Sequence, residues 1–349
     1  MTAPDFAARV IAWQRDHGRS DLPWQTNTDP YRVWLSEVML QQTQVATVLP
    51  YYARFLTRFA DVRALADAPL DDVLAAWSGL GYYSRARNLH RCARVVVAEH
   101  GGEFPRSAAE LAELPGIGRS TAAAVAAFCF GERCAILDGN VKRVLARHLG
   151  FEADLSSASE VATLWRKAEA LLPEREVGAY TQGLMDLGAT LCTRASPACE
   201  RCPMARDCVA FAQGRPGAFP VKTRRLKRGQ RANAWLWLSR ADDVWLTQRP
   251  DKGVWAGLWS LPEFETLAQV QTLTEDWPGR GQSLPDIAHA LTHFDWLLKP
   301  WRHALPATTP TPAVQAWTLA CPQGRWVARE DALTMGLPAP LRVLLTRYV

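Results

Sequence analysis

The 349-residue sequence has no run of about 20 consecutive apolar residues, so no membrane-spanning segment is predicted. Residues 1–18 lack the basic segment followed by a continuous apolar core that a signal peptide requires. We therefore expect a cytoplasmic protein. Apolar side chains are not scarce, because hydrophobic residues make up 48% of the chain. That fraction excludes a mostly disordered protein, since enough apolar surface is present to offset the entropy of ordering.

Eight cysteines in a cytoplasmic chain of this size argue against a disulfide framework and favour metal binding or catalysis. Four of them lie singly among apolar neighbours and are predicted to be small buried side chains: Cys92, Cys129, Cys134 and Cys321. The other four fall within seventeen residues. The net charge of +5 permits nucleic-acid binding but does not by itself indicate it.

The length predicts two or three domains. Up to about residue 213, apolar residues recur at helical spacing. Residues 214–231 are rich in glycine and proline and contain no acidic residue, which predicts an exposed linker, either merely solvated or in contact with phosphates. Six of its basic residues lie close together: Lys222, Arg224, Arg225, Lys227, Arg228 and Arg231.

The final third, 232–349, has the pattern of a separate α+β domain. Residues 233–240 and 243–250 flank a turn-prone triplet and predict a hairpin, and 313–320 and 324–331 predict further strands. Ten of the fifteen tryptophans lie here, and most are expected to fill its core.

The clustered cysteines follow the spacing Cys-x6-Cys-x2-Cys-x5-Cys. Their thiolates could bind structural zinc or an iron–sulfur cluster. Zinc sites usually show two close pairs, whereas one close pair flanked by single cysteines favours a [4Fe-4S] cubane. The four residues are Cys192, Cys199, Cys202 and Cys208. The spacing resembles the cluster loop of the endonuclease III superfamily of DNA glycosylases, in which Arg194, Arg201 and Arg206 would face phosphates.

Residues 114–128 have the pattern of a helix–hairpin–helix. Gly116 and Gly118 permit a tight turn, and the free N–H groups of the next helix can bind a DNA phosphate. A plain helix–helix connection is the alternative, and the cysteine loop downstream disfavours it.

Asp138 precedes a helix and is predicted to cap it, which is compatible with a catalytic role. The arrangement resembles the superfamily's shared aspartate, which stabilises an oxocarbenium-like sugar. Lys142 and Arg143 follow as expected DNA contacts. Superfamily members that also cut the strand carry a lysine where this chain has Ser120, so we expect water to be the nucleophile. The chain would then be a monofunctional glycosylase, with Lys142 able only to support occasional side chemistry.

Residues 29–45, 79–90 and 185–192 resemble the signatures of MutY-type adenine DNA glycosylases, and the resemblance runs across nearly all of 1–213. The matching residues at the signature's start are Trp24, Tyr31, Glu37, Gln41, Gln42 and Thr43. The family implies that Gln41 and Tyr82 intercalate, with Gln42 beside them, and that Trp24 and Gln182 border the adenine pocket. It also implies an all-α helix-hairpin-helix core, made of an iron–sulfur cluster domain (1–22 and 132–213) and a six-helix domain (23–131).

Adenine leaves poorly as an anion, so its N7 must be protonated as the glycosidic bond breaks. The acid must keep its proton near neutral pH, which requires apolar surroundings. Glu37 lies among Trp34, Leu35, Val38 and Met39, and within this motif it is predicted to be the general acid.

The C-terminal domain resembles the family's Nudix-like domain, which reads 8-oxoguanine on the opposite strand. Residues 253–265 match the opening of that fold, but the acidic Nudix box is absent, which argues against a pyrophosphatase. The family's Phe-Ser-His loop corresponds to Leu291, Thr292 and His293, so a hydroxyl is kept and an aromatic ring is lost.

We therefore expect a monomer that binds double-stranded DNA containing adenine opposite 8-oxoguanine or guanine. Two alternatives remain: an endonuclease III-like enzyme for oxidised pyrimidines with lyase activity, and a non-catalytic iron–sulfur DNA-binding module. Ser120 and the extra domain argue against the first, and Glu37 with Asp138 against the second.

Overall fold

The computed structural model describes residues 3–223, 227–309, 314, 318 and 321–348. The chain divides into two compact units. The first contains Met1–Asp67 and Asn88–Arg225, and the second contains Ala68–Arg87 and Leu226–Val349. The second unit therefore includes a short segment that comes from the middle of the helical part of the sequence.

Helices form most of the chain before residue 213, as predicted. In order they are α1 (Ala3–His17), α2 (Pro30–Leu40), α3 (Val45–Arg58), α4 (Val62–Asp67), α5 (Leu70–Trp77), α6 (Ser84–His100), α7 (Ala108–Glu113), α8 (Arg119–Val125), α9 (Gly139–Leu149), α10 (Ala158–Ala170), α11 (Val177–Asp186) and α12 (Val209–Ala212). π-Helical turns at Ala126–Phe130 and Leu187–Leu191 extend α8 and α11. Within the first unit, Phe6 and Val10 of α1 pack in one core with Leu145 of α9 and Leu184 of α11.

The predicted helix–hairpin–helix is present as α7, a turn and α8. Ser107 caps α7 by accepting a hydrogen bond from the Glu110 N–H. Gly116 has φ +79°, and a Cβ there would lie 2.6 Å from the Cβ of Asn88. Only glycine fits this turn, because both its backbone conformation and its close approach exclude a side chain.

The second unit contains an eight-stranded mixed sheet. The strands are β1 (Gly229–Arg240), β2 (Asp243–Gln248), β3 (Trp259–Ser260), β4 (Glu263–Phe264), β5 (Arg280–Ser283), β6 (Ile287–Ala290), β7 (Phe294–Leu305) and β8 (Gly324–Ala328). Its main order is β3-β2-β1-β7-β5, with β4 on β1, β6 on β7 and β8 on β2. β1 and β7 are parallel, and the other pairs are antiparallel. In the described part of the chain after residue 226, three helices accompany the sheet: α13 (Leu267–Thr274), α14 (Arg329–Ala332) and α15 (Ala339–Arg347).

The α+β prediction is confirmed. β1 and β2 form the expected hairpin, with Ser239 opposite Val244, and β8 forms within 324–331. Of the strand predicted at 313–320, the two described residues, Val314 and Thr318, are helical rather than extended, and the others lie outside the described residues. Tryptophans fill the core as expected, because Trp235 and Trp296 are fully buried and Trp255 stacks on Trp296 with ring centroids 4.8 Å apart.

The predicted linker is shorter than expected, because β1 already begins at Gly229. Arg231 lies in that strand, pairs with Glu263 at 2.6 Å and covers the Trp296 ring. Arg231 is therefore a paired strand residue and not a free basic residue of the linker. Arg224 and Arg225 lie outside the described residues.

Two of the four singly placed cysteines, Cys92 and Cys321, are buried as predicted, whereas Cys129 and Cys134 are only partly buried. Across the described ranges, none of the helices combines the length and apolarity needed to cross a membrane.

Candidate active site

A cleft with a volume of about 1260 Å³ opens in the first unit. It brings together nine side chains that were named from the sequence: Trp24, Glu37, Gln41, Gln42, Thr43, Ser120, Asp138, Arg143 and Gln182. These residues come from the segment before α2, from α2 and the turn after it, from the starts of α8 and α9, and from α11. The helical fold rather than local sequence therefore makes them neighbours.

Glu37 projects from α2, a helix capped by the Asp29 carboxylate, which accepts the Tyr31 N–H at 2.9 Å. Trp34 and Val38 beside it are buried. Burial raises the pKa of Glu37 to about 7, and the nearby charge of Asp138 adds to the shift. Glu37 can therefore hold a proton at neutral pH and release it to a bound group.

Asp138 caps α9, and its Oδ1 accepts the Val141 N–H at 2.7 Å, as the sequence predicted. Burial raises its pKa, while hydrogen bonds from the backbone N–H groups of Val141 and Asn140 and the charge of Arg143 act in the opposite direction. The cap fixes the carboxyl in one position. The charge of the carboxyl depends on burial and on Arg143 as well as on the N–H groups at the start of α9.

Ser120 lies in the first turn of α8, where its hydroxyl accepts the Leu137 N–H at 3.1 Å. This hydrogen bond ties the start of α8 to the residue before Asp138. Close by, the Gln41 amide donates to Thr121 Oγ1 at 3.4 Å. Gln42 has φ +58°, a conformation that costs a non-glycine residue free energy and is typical of functional sites.

Arg19 and Gln25, which line this cleft, and the buried Asp186, which contacts Arg19 and Gln182, were not predicted as site residues from sequence. The fully buried Asp186 carboxylate accepts the Gln182 amide N–H at 2.9 Å and forms an ion pair with Arg19 at 2.6 Å. The Gln25 amide nitrogen is buried without a hydrogen-bond partner in the described structure. Asp186 lies within the 185–192 signature, and Arg19 and Gln25 lie near Trp24, which was the available signal. None of the three has a distinctive local pattern of its own.

The two expected DNA contacts on α9 differ from each other. Arg143 donates to the carbonyl oxygens of Cys192 and Gly188, each at 2.7 Å, so its guanidinium connects α9 to the cysteine loop. Lys142 is half-buried, and its pKa is lowered by burial and by the nearby charge of Lys222. The geometry leaves Lys142 the better placed of the two for an anion.

The four clustered cysteines line one cavity. The buried Arg147 donates to Cys192 Sγ at 3.4 Å and to the Thr193 carbonyl at 2.7 Å, which closes the loop on α9. Burial raises the pKa of Cys202 to about 11, and the other three thiols contribute. No group of three or more His, Cys, Asp or Glu side chains in the described parts of the chain is arranged to hold a metal ion. Three arginines on this loop are exposed: Arg194, Arg201 and Arg206.

Tyr82, Thr292 and His293 lie in the second unit. Tyr82 is 45% exposed and has φ +49°. Its hydroxyl lies 3.4 Å from Thr292 Oγ1, in the β6–β7 turn, where His293 is also exposed. The Leu291 N–H closes this turn on the Phe294 carbonyl at 3.0 Å. Tyr82 and Thr292 thus share one surface, a pairing that the sequence did not reveal.

Two family profiles match the chain. Residues 35–169 match the HhH-GPD superfamily of base excision DNA repair proteins, and residues 233–347 match the NUDIX domain. The first match contains the helix–hairpin–helix and both carboxyl groups of the cleft, and the second covers nearly all of the sheet.

Relatives match the chain over its whole length. It is 32% identical to an adenine DNA glycosylase of Buchnera aphidicola (from Acyrthosiphon pisum) over all of this chain and 99% of the relative. It is 32% identical to the Homo sapiens adenine DNA glycosylase over 98% of this chain and 74% of the relative.

Among solved structures, a thermostable thymine-DNA glycosylase is 29% identical, with a TM-score of 0.54, over 60% of this chain and 97% of its own. A non-covalent endonuclease III–DNA complex has the same fold, with 24% identity and a TM-score of 0.51 over 61% of this chain and 98% of its own.

Proposed function

Because the chain belongs to the adenine DNA glycosylases, N-glycosyl hydrolases of base excision repair, we propose that its substrate is adenine opposite 8-oxoguanine or guanine. The duplex is bound by a monomer, and the enzyme is monofunctional. The observation that carries the proposal is the pairing of Glu37 and Asp138 in one cleft, with the pKa of Glu37 raised to about 7.

Glu37 acts as the general acid. Its carboxyl is protonated in a substantial fraction of molecules at neutral pH, and transfer of that proton to adenine N7 makes the base a neutral leaving group. The adenine must first leave the duplex to reach the cleft. Trp24 and Gln182, which line the cleft, would border the extruded base.

Asp138 stabilises the sugar. Bond breaking develops positive charge on the deoxyribose, and a fixed carboxylate nearby lowers the energy of that oxocarbenium-like state. Its hydrogen bond from Val141 holds one oxygen, which keeps the carboxyl from turning away.

Water is the nucleophile. A Schiff base requires an amine at the hairpin, and Ser120 has a hydroxyl that already accepts the Leu137 N–H. Lys142 lies in the first turn after Asp138, where a phosphate contact is its task.

Several parts of the chain contact the DNA. The turn containing Gly116 and Gly118 presents backbone N–H groups to a phosphate. Gln41 and Tyr82 enter the base stack where the adenine has left, with Gln42 supporting them. Arg143 holds α9 to the cysteine loop and so acts on DNA binding through that loop.

The cysteine loop fits a [4Fe-4S] cluster held by the four clustered thiols. The four thiols line one shared cavity, and the buried Arg147 supplies positive charge beside Cys192. The cluster would fix the loop that carries Arg194, Arg201 and Arg206, and no step of base removal involves it.

The base opposite adenine is read by the second unit. Thr292 and His293 are exposed on the β6–β7 turn and can hydrogen-bond the groups at N7 and C8 that distinguish 8-oxoguanine from guanine. No stacking role falls to Leu291, which lacks an aromatic ring.

Base release tests the proposal. The protein is incubated with duplexes that carry adenine opposite 8-oxoguanine, adenine opposite guanine, or thymine glycol, and products are scored before and after alkali. We expect strand breaks only after alkali, and only with the two adenine substrates. Release of thymine glycol with direct cleavage would support the endonuclease III-like alternative, and binding without release the non-catalytic one.

A further inference from the structure

The segment Ala68–Arg87 belongs to the second unit and is attached to it by specific polar contacts. The Asp71 carboxylate accepts the Trp259 indole N–H at 3.1 Å and the Gln248 amide N–H at 3.1 Å. At the other end of the segment, Arg87 donates to the Ala256 carbonyl at 2.8 Å. Both ends of the segment are therefore bound to β2, β3 and the loop that connects these strands.

A second set of contacts holds the middle of the segment. The Leu337 carbonyl accepts hydrogen bonds from Ser78 Oγ at 3.3 Å and from the Tyr83 hydroxyl at 3.1 Å. Arg342 donates to Ser78 Oγ at 3.1 Å. The same guanidinium also donates to the carbonyl oxygens of Met335 and Leu333, and these two hydrogen bonds fix its position beside Ser78.

The residues between Ser78 and Tyr83 form a tight turn that contains Tyr82. Gly79 and Gly81 both have positive φ, as does Tyr82 itself. Within the turn, the indole N–H of the fully buried Trp77 donates to the Gly81 carbonyl at 3.1 Å. A strained turn keeps its shape only where surrounding contacts over-determine it, and here Arg342 and the Leu337 carbonyl supply them.

We propose that Arg342 is a positioning residue for mispair recognition. Through Ser78 and the turn before Leu337, it fixes the orientation of Tyr82, so that Tyr82 and Thr292 form one surface that reads DNA. The inference rests on the proposed function for its DNA-binding role, but not for the contacts themselves. It assigns α15 a task, although the helix carries none of the residues that touch DNA.

The test uses the full-length protein and the variant Arg342→Met, with Arg347→Met as the matched control, because Arg347 is exposed on the same helix. Hydrogen exchange is measured without DNA. We expect amides of residues 79–83 to exchange about 10-fold faster in Arg342→Met, because a charged hydrogen bond to Ser78 is lost. The control should match wild type, as should amides of the first unit.

DNA binding is then measured with a non-cleavable adenine analogue opposite 8-oxoguanine or guanine. Arg342→Met should bind the 8-oxoguanine duplex about 10-fold more weakly and should lose part of the preference over guanine. The rate of adenine release at saturating DNA should change less than about 2-fold, because Glu37 and Asp138 belong to the other unit. A variant that failed to fold would instead lose DNA binding and adenine release together.

Tyr83→Phe provides a second variant that removes one hydroxyl and leaves the carbonyl contacts of Arg342 in place. It should shift exchange and binding in the same direction. Unchanged exchange at 79–83 in both variants would overturn the positioning role, as would faster exchange with unaltered binding. If wild type releases no adenine, the proposed function fails, while the exchange result still decides whether Arg342 holds the turn.

Discussion

Asp138 and Glu37 face the same cleft, and the negative charge of Asp138 is one of the two causes that raise the pKa of Glu37 to about 7. The other cause is burial, which is the larger. One carboxyl that keeps its proton beside another that stabilises positive charge is the division expected of an acid and its electrostatic partner.

Replacement of Glu37 by glutamine should lower adenine release by about 10²–10⁴-fold or more, because the amide keeps the shape but has no proton to transfer. Binding should stay near the wild-type value. Single-turnover kinetics and a binding titration measure the two effects, with the exposed Glu99→Gln as control. Substantial turnover by Glu37→Gln would remove this residue from the mechanism.

The raised pKa also predicts two pH dependences. Release should slow as pH rises through about 7, because Glu37 loses its proton there. The folded protein holds this proton more tightly than the unfolded chain, so the stabilisation is complete below about pH 4.5 and is lost as pH rises through about 7. Glu37→Gln should therefore melt higher than wild type at pH 8 but not at pH 4.5. An equal difference at both values would contradict the assignment.

Ser120→Lys should produce strand cleavage that borohydride can trap, because an amine would then reach the sugar carbon that water attacks. Ser120→Met is the matched control, since both variants remove the oxygen that accepts the Leu137 N–H. A covalent band on a denaturing gel with the lysine variant alone is the expected result. If wild type already cuts strands without alkali, the enzyme is not monofunctional.

Purified protein should be yellow-brown and contain about four irons per chain without stoichiometric zinc. Cys199→Ser should lose iron and weaken DNA binding, whereas Cys129→Ser, outside the cysteine loop, should do neither. Metal analysis and the visible absorption spectrum provide the readout. A colourless protein with one zinc would contradict the cluster.

Thr292→Val combined with His293→Ala should reduce the preference for 8-oxoguanine over guanine by about 1–3 kcal/mol, because unpaired polar groups penalise the wrong base. Release rates at saturating DNA should change little. Binding of both mispairs is compared with that of Asp286→Asn, an exposed change in the loop before β6. If the double variant kept the full preference for 8-oxoguanine, residues other than Thr292 and His293 would have to recognise the opposite base.

Much of the fold follows from local sequence. The hairpin glycines, the Asp138 cap and the β1–β2 turn each have a pattern that short-range physics explains, and all three are present. The cleft residues could be named because they lie in motifs, although only the fold makes them neighbours.

Other features have no local signal. Asp71 lies in the first turn of α5, a common place for an aspartate, and nothing near it indicates Trp259 as its partner. Arg231 belongs to a basic run, yet strand pairing places it beside Glu263. Such contacts depend on which distant segments pack together, and a single sequence does not encode that in any short window.

The contact between Arg342 and Ser78 joins residues 264 positions apart. At a synthesis rate of about 5–20 residues per second, Ser78 leaves the ribosome roughly ten to fifty seconds before its partner exists. During that interval the segment around Tyr82 is tethered at both ends to the helical unit but lacks the sheet on which it settles. Nascent chains should accordingly be most vulnerable to proteolysis between residues 68 and 87, and a stalled or truncated product would keep that weakness permanently.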